Sequence, residues 1–242
     1  MVSGLVRTAV LIDGGFFLKR LPQVRRDIDT SNPDAVVKAV EQLVQSHLEK
    51  LSSVYGSQNP RRLLYRIFYY DALPYGAKAH KPKSNQAIDY AKSDVAVFRR
   101  ELFEALRSRP NVALRLGQVR KPSEGLWVLK QDSQKRLLSG DLAASDLEDS
   151  DFTDQLRQKG VDMRIGLDIA TITLKKQANI IVLVSGDSDF VPAAKLARRE
   201  GVIFILDPLW QQVAPDLSEH IDKLTSGFSR PQHGSQSVDS VE

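Results

Sequence analysis

Residues 179–207 constrain the fold more than any other stretch of the chain. The segment "NIIVLVSGDSDF" (179–190) is an apolar run that ends in a polar, acidic turn. "PAAKLARREG" (192–201) follows with helical character, Pro192 near its start and Gly201 at its stop. "VIFILD" (202–207) is a second apolar run. Strands that are apolar on both faces must be covered on both faces. With the helix read over "MRIGLDIATITLKKQ" (163–177), the alternation of helix, strand, helix and strand predicts an α/β fold. Its sheet is parallel, with helices on both sides.

The rest of the chain supplies further elements of the same kind. Ala9–Ile12 form a short apolar run that ends at Asp13, Gly14 and Gly15, which reads as a buried strand followed by a tight turn. Residues 33–51 carry an apolar stripe at helical spacing, with Asn32 placed to cap the helix and Pro33 at its first position. "LLYRIFYYDALP" (63–74) reads as a strand ending near Asp71. Residues 75–93 hold Lys78, Lys81, Lys83 and Lys92 and read as an exposed basic loop leading into a helix over 86–108. "VALRLGQV" (112–119) alternates as a strand. "LWVLK" and "KRLLS", either side of 131–134, read as a hairpin, and the five aspartates and one glutamate of 140–154 read as a solvated loop. Residues 1–225 are therefore expected to form a single domain with a hairpin and acidic-loop insertion at 121–154. Residues 226–242, rich in Ser, Gln, Gly and Pro, are expected to be a disordered tail.

Composition closes off several chemistries. The chain has no cysteine, which excludes disulfides, thiolate metal sites and a cysteine nucleophile. No apolar run approaches membrane-spanning length, and the N-terminal stretch Thr8–Ile12 is too short for a signal peptide, so a cytoplasmic protein without membrane contact is the expectation. The net charge of +4 favours a polyanionic partner only weakly.

In open parallel sheets ligands bind beyond the carboxyl ends of the strands. Asp13 and Asp187 each follow an apolar strand, and Asp189 lies in the same turn as Asp187. Asp168 sits in a largely apolar helix, where a charge is costly unless paired or bound to a cation. Asp162 stands where it could cap that helix, serve as a ligand, or both. Carboxylates gathered together repel one another unless a cation joins them, and oxygen-only ligation suits Mg²⁺ or Mn²⁺.

At these residues the chain resembles the NYN family, the LabA-like group of the PIN-like nuclease superfamily. The matching pieces are "VLIDGGFF" (10–17), "QKGVDMRIGLDIATI" (158–172), "IVLVSGDSDFVPAAKLARREG" (181–201) and "VIFIL" (202–206). The resemblance spans most of residues 7–225, and the SGDSDF block with KGVD upstream is its specific part. It implies a PIN-like, Rossmann-like parallel sheet and a divalent-metal acidic site that cleaves RNA. Carried over, Asp13 matches the aspartate of the first strand, Asp162 that of KGVD, Asp168 the helix aspartate, and Asp187 and Asp189 the SGDSD pair. Many relatives have asparagine where this chain has Phe16, which puts the substrate-orienting role of that position in doubt.

The expected function is phosphodiester hydrolysis, in RNA or alternatively DNA, by metal-activated water. Asp13, Asp168, Asp187 and Asp189 are the expected metal ligands, with Asp162 completing the catalytic set. Ser185 and the start of the 191–200 helix are expected to meet a phosphate. Lys78, Lys81, Lys83, Arg99 and Arg100 are expected to track the backbone, and Tyr69, Tyr70 and Tyr75 to stack on bases or serve as core. A homodimer is compatible with all of this. The rival reading is a nucleic-acid-binding or regulatory module without turnover. A phosphatase with an aspartyl nucleophile fits poorly, because no second aspartate stands two residues after Asp13.

Overall fold

The computed structural model describes residues 6–231 apart from residue 124. Strand β1 (Thr8–Asp13) runs straight into helix α1 (Gly14–Val24), and α2 (Pro33–Tyr55) follows. Then come β2 (Leu64–Leu73), β3 (Lys78–His80), β4 (Ala87–Asp89), α3 (Asp94–Arg107) and β5 (Val112–Arg120). Next come β6 (Trp127–Leu129), α4 (Gln131–Ser139) and β7 (Phe152–Asp154). The chain continues with β8 (Arg157–Lys159), α5 (Val161–Leu174), β9 (Ile180–Val184), α6 (Val191–Arg199) and β10 (Ile203–Asp207). It closes with a short α7 (Pro215–Ser218) and β11 (Lys223–Leu224).

The main sheet has the strand order β11-β10-β9-β1-β2-β5-β8. Every pairing in it is parallel except that of β8 with β5. From β1 the chain first builds outward through β2 and β5, then returns to add β9 and β10 on the other side. The direction of growth therefore reverses between β1 and β9, which makes their carboxyl ends the topological switch point. Alternate residues of each strand feed two cores. Val10, Ile12, Tyr69 and Val182 face α1, α2 and α3. Ala9, Leu11, Tyr70 and Leu183 face α5 and α6.

The α/β architecture and the helix-covered parallel sheet agree with the sequence-based expectation. Asn32 does cap α2, accepting from the amides of Asp34 and Ala35. Four local readings need correction. The Gly14-Gly15 pair does not make a turn but opens α1. The basic stretch is a hairpin, β3 with β4, and the helix after it begins at Asp94 rather than residue 86. "LWVLK" and "KRLLS" do not pair with each other; the first contributes β6, which pairs with β7 of the acidic stretch, and the second lies in α4. The start of the expected tail is packed, since Phe228 is buried and the Gly227 amide donates to Asp207. Residues 232–242 lie outside the described residues.

Candidate active site

The register that pairs β1 with β9 ends at Ile12 and Val184. One residue further on, Asp13 and Ser185 stand side by side at the switch point. Ser185 Oγ donates to Asp13 Oδ2 at 3.5 Å, and the other carboxyl oxygen of Asp13 accepts from the Phe16 amide at 3.0 Å. Asp13 thus caps α1 while facing the site. The cap is only reachable because residue 14 is glycine. A Cβ there would lie 2.6 Å from both the Tyr69 ring and the Tyr70 carbonyl.

The acidic turn after β9 folds onto this edge. Ser185 Oγ accepts from the Asp187 amide at 3.4 Å, and Asp187 in turn accepts from the Asp189 amide at 3.0 Å. Both aspartates are exposed. From the other side, α5 brings Asp162 within electrostatic range. Gly160 caps that helix in a left-handed conformation, φ 80°, which favours glycine. Asp162 is therefore not the cap and lies in the first turn with its carboxylate free for other use.

Burial first, and charge repulsion after it, raises two of these carboxyls. Burial pushes the Asp13 carboxyl up to about 6 against the pull of the Phe16 amide, and the charges of Asp162 and Asp71 push it further the same way. Asp162 is also raised, by partial burial first and then by Asp187 and Asp189. Asp71, at the end of β2, was passed over in the sequence because an aspartate there resembles any strand end. It is fully buried, forms an ion pair with Arg99 of α3, and takes the Ala72 amide at 2.7 Å. Its Oδ2 and the hydroxyl of buried Tyr69 have no hydrogen-bond partner among the described residues.

Other expected site residues are placed differently. Asp168 lies deeper along α5, where its Oδ2 accepts from the Tyr70 hydroxyl at 2.9 Å and from Arg115 Nε at 3.0 Å. Arg99 is occupied by Asp71, and Ser185 is fully buried beneath Asp13. Tyr69 and Tyr70 are buried, so they are core and not base platforms; Tyr75 packs edge-on against Tyr90 at 5.3 Å. Lys78, Lys81 and Lys83 belong to the β3–β4 hairpin, which leans on the segment from β6 to β7. The amides of Lys83 and Ser84 donate to Asp149, and the Trp127 indole donates to the His80 carbonyl. Lys81 and Lys83 line a cleft of about 730 Å³ opposite Glu148 and Asp149.

The donor set at the switch point fits a hard divalent cation. It consists of carboxylate oxygens, and their mutual repulsion is what a cation would relieve. Among the described residues no three acidic or imidazole side chains stand close enough together to hold one ion as they are. No helix there is long and apolar enough to cross a membrane.

The family model of the NYN domain matches residues 100–226, just over half of the chain. That span takes in α5, the SGDSDF turn and β10. Neither a curated protein nor a solved structure matches the chain.

Proposed function

The chain belongs to the NYN domain family of PIN-like nucleases, and from that membership we propose that it hydrolyses phosphodiester bonds in RNA with the help of Mg²⁺ or Mn²⁺. The observation that carries this reading is Asp13 at the β1/β9 switch point, beside Ser185 and within electrostatic range of Asp162, which in turn feels Asp187 and Asp189 of the SGDSDF turn.

In this reading Asp13 and Asp187 would hold the cation, with Asp189 as a further carboxylate for it. The cation, when bound, supplies positive charge to a phosphate oxygen and to the attacking water. Asp162, exposed at the start of α5, orients that water and takes up its proton. Ser185 acts through Asp13 by fixing its carboxylate. Asp71 and Arg99 form a buried, neutralised floor beneath the site. Asp168 holds α5 to the sheet through Tyr70 and Arg115, and its reach to the cation depends on releasing them.

Incubation with single-stranded RNA, structured RNA and DNA, in Mn²⁺, Mg²⁺ or EDTA, beside Asp13→Asn and Asp187→Asn, tests the proposal. Metal-dependent cleavage of RNA that both substitutions abolish is expected. Cleavage that survives both would remove the site from consideration. One observation favours a second reading, a nucleic-acid-binding module without turnover: the Asp168 carboxylate is already taken by Arg115 and Tyr70. Binding without cleavage in every metal would select it.

A further inference from the structure

The loop after β10 is held by an elaborate set of bonds. Asp207 is buried, accepts from the Leu209 amide at 2.8 Å and the Gly227 amide at 2.7 Å, and pairs with His47 Nε2 at 2.8 Å. Arg20 of α1 donates to the Leu209 carbonyl at 2.7 Å. This frame holds two successive bulky residues in the left-handed region, Leu209 at φ 46° and Trp210 at φ 63°. Such residues rarely sit there, and backbone strain of this kind clusters at ligand sites. Leu209 is fully buried, so packing accounts for it. Packing does not account for Trp210, which is 44% exposed.

The exposed indole is nevertheless fixed. Its Nε1 donates to the Phe228 carbonyl at 3.0 Å, and the Arg230 guanidinium lies 5.9 Å from the ring centroid. The ring borders a cavity of about 570 Å³ that Lys50, Gln211 and Gln212 also line. Gln211 joins this cavity to the acidic turn, because a Cβ on Gly186 would lie 2.9 Å from its Nε2. Gln211 thus stands between the cavity that Trp210 and Lys50 line and the turn that carries Asp187 and Asp189.

We propose that this cavity receives an unpaired base of a single-stranded nucleic acid, stacked on Trp210, while the neighbouring phosphodiester lies at the aspartate cluster. The proposal rests on the nuclease reading and specifies its substrate. Stacking on an indole is open to any base but requires one that has left its duplex. Lys50, whose ammonium also donates to the Ser226 carbonyl, and Arg230 offer charge to the flanking phosphates.

The test measures binding of labelled single-stranded oligoadenylate RNA and of a matched RNA duplex to the full chain carrying Asp187→Asn, in EDTA. Adding Trp210→Ala is expected to weaken single-strand binding about ten-fold or more, the size of one lost base stack. Trp210→Phe should stay close to the parent, and duplex affinity should not change. Equal single-strand affinity in Trp210→Ala, or an equal loss for strand and duplex, would overturn the proposal. Should Trp210→Ala fail to fold, Trp127→Phe leaves Trp210 as the sole indole of the chain. Saturable quenching of its emission by the single strand is then expected, and its absence overturns the site. The nuclease reading fails separately, by the absence of cleavage in any metal.

Discussion

Asp13 combines three demands in one side chain: it ends a buried strand, caps a helix and faces other carboxylates. Its carboxyl is raised from 3.8 to about 6, chiefly by burial. The protonated form is the one the fold favours. The associated stability is therefore fully present below about pH 4 and lost as pH rises through about 6. The size is on the order of 3 kcal/mol at neutral pH. Asn keeps the capping oxygen but cannot ionise, so Asp13→Asn should raise the urea midpoint at pH 8 and flatten the pH dependence between the two values, while abolishing cleavage. Asp168 makes the opposite case. Asp168→Ala leaves the buried Tyr70 hydroxyl without its acceptor, which should cost about 1–3 kcal/mol in chemical denaturation. Unchanged Mn²⁺ affinity in that variant, measured by calorimetry, would assign Asp168 to structure; a lost affinity would assign it to the metal. The sequence placed Asp13 and the SGDSD pair at strand ends because an apolar run followed by a carboxylate is a local signal. It could not show that Asp71 meets Arg99 or that Asp168 meets Arg115, since those partners lie 28 and 53 residues away.

At the scale of elements, the long periodic helices and the fully apolar strands were legible, and the short or glycine-opened ones were not. Helix α1 begins with two glycines and contains Pro22, both poor helix formers, so propensity argued for a turn. Its reason for existing is tertiary: Gly14 lets the helix start against the Tyr69 ring and the Tyr70 carbonyl. Gly14→Ala should therefore cost about 1–3 kcal/mol by overpacking, seen as a lower denaturant midpoint. It should also disturb the capping of α1 by Asp13, and so metal affinity. The pairing of "LWVLK" with "KRLLS" failed for a related reason. "LWVLK" has no partner nearby in the chain; its β6 strand waits for residues 152–154, and α4 fills the space between.

For the molecule as a whole, the C-terminal segment is a fastening. His47 of α2 and Asp207 of β10 meet in the core, and the same carboxylate receives the Gly227 amide. Phe228 packs behind it. His47→Leu should destabilise the whole fold by roughly 1.5–3 kcal/mol, the worth of a bond to a charged group. Ending the chain at Thr225 should cost more and lower the melting temperature further, because the apolar burial of Phe228 is lost with it. Composition hid this, since a Ser-, Gln- and Gly-rich ending looks alike whether or not one aromatic within it is anchored.

The position of β1 at the heart of the sheet has a temporal meaning. Its neighbour on one flank, β2, is made soon after it, but its neighbour on the other, β9, begins only at Ile180. During synthesis the first strand must wait with one side open while most of the polypeptide is still inside or unmade by the ribosome. The nascent chain holds Asp13 long before it holds Asp162, Asp187 or Asp189. The β1/β9 edge at which Asp13 and Ser185 meet is thus closed only after most of the chain has been made.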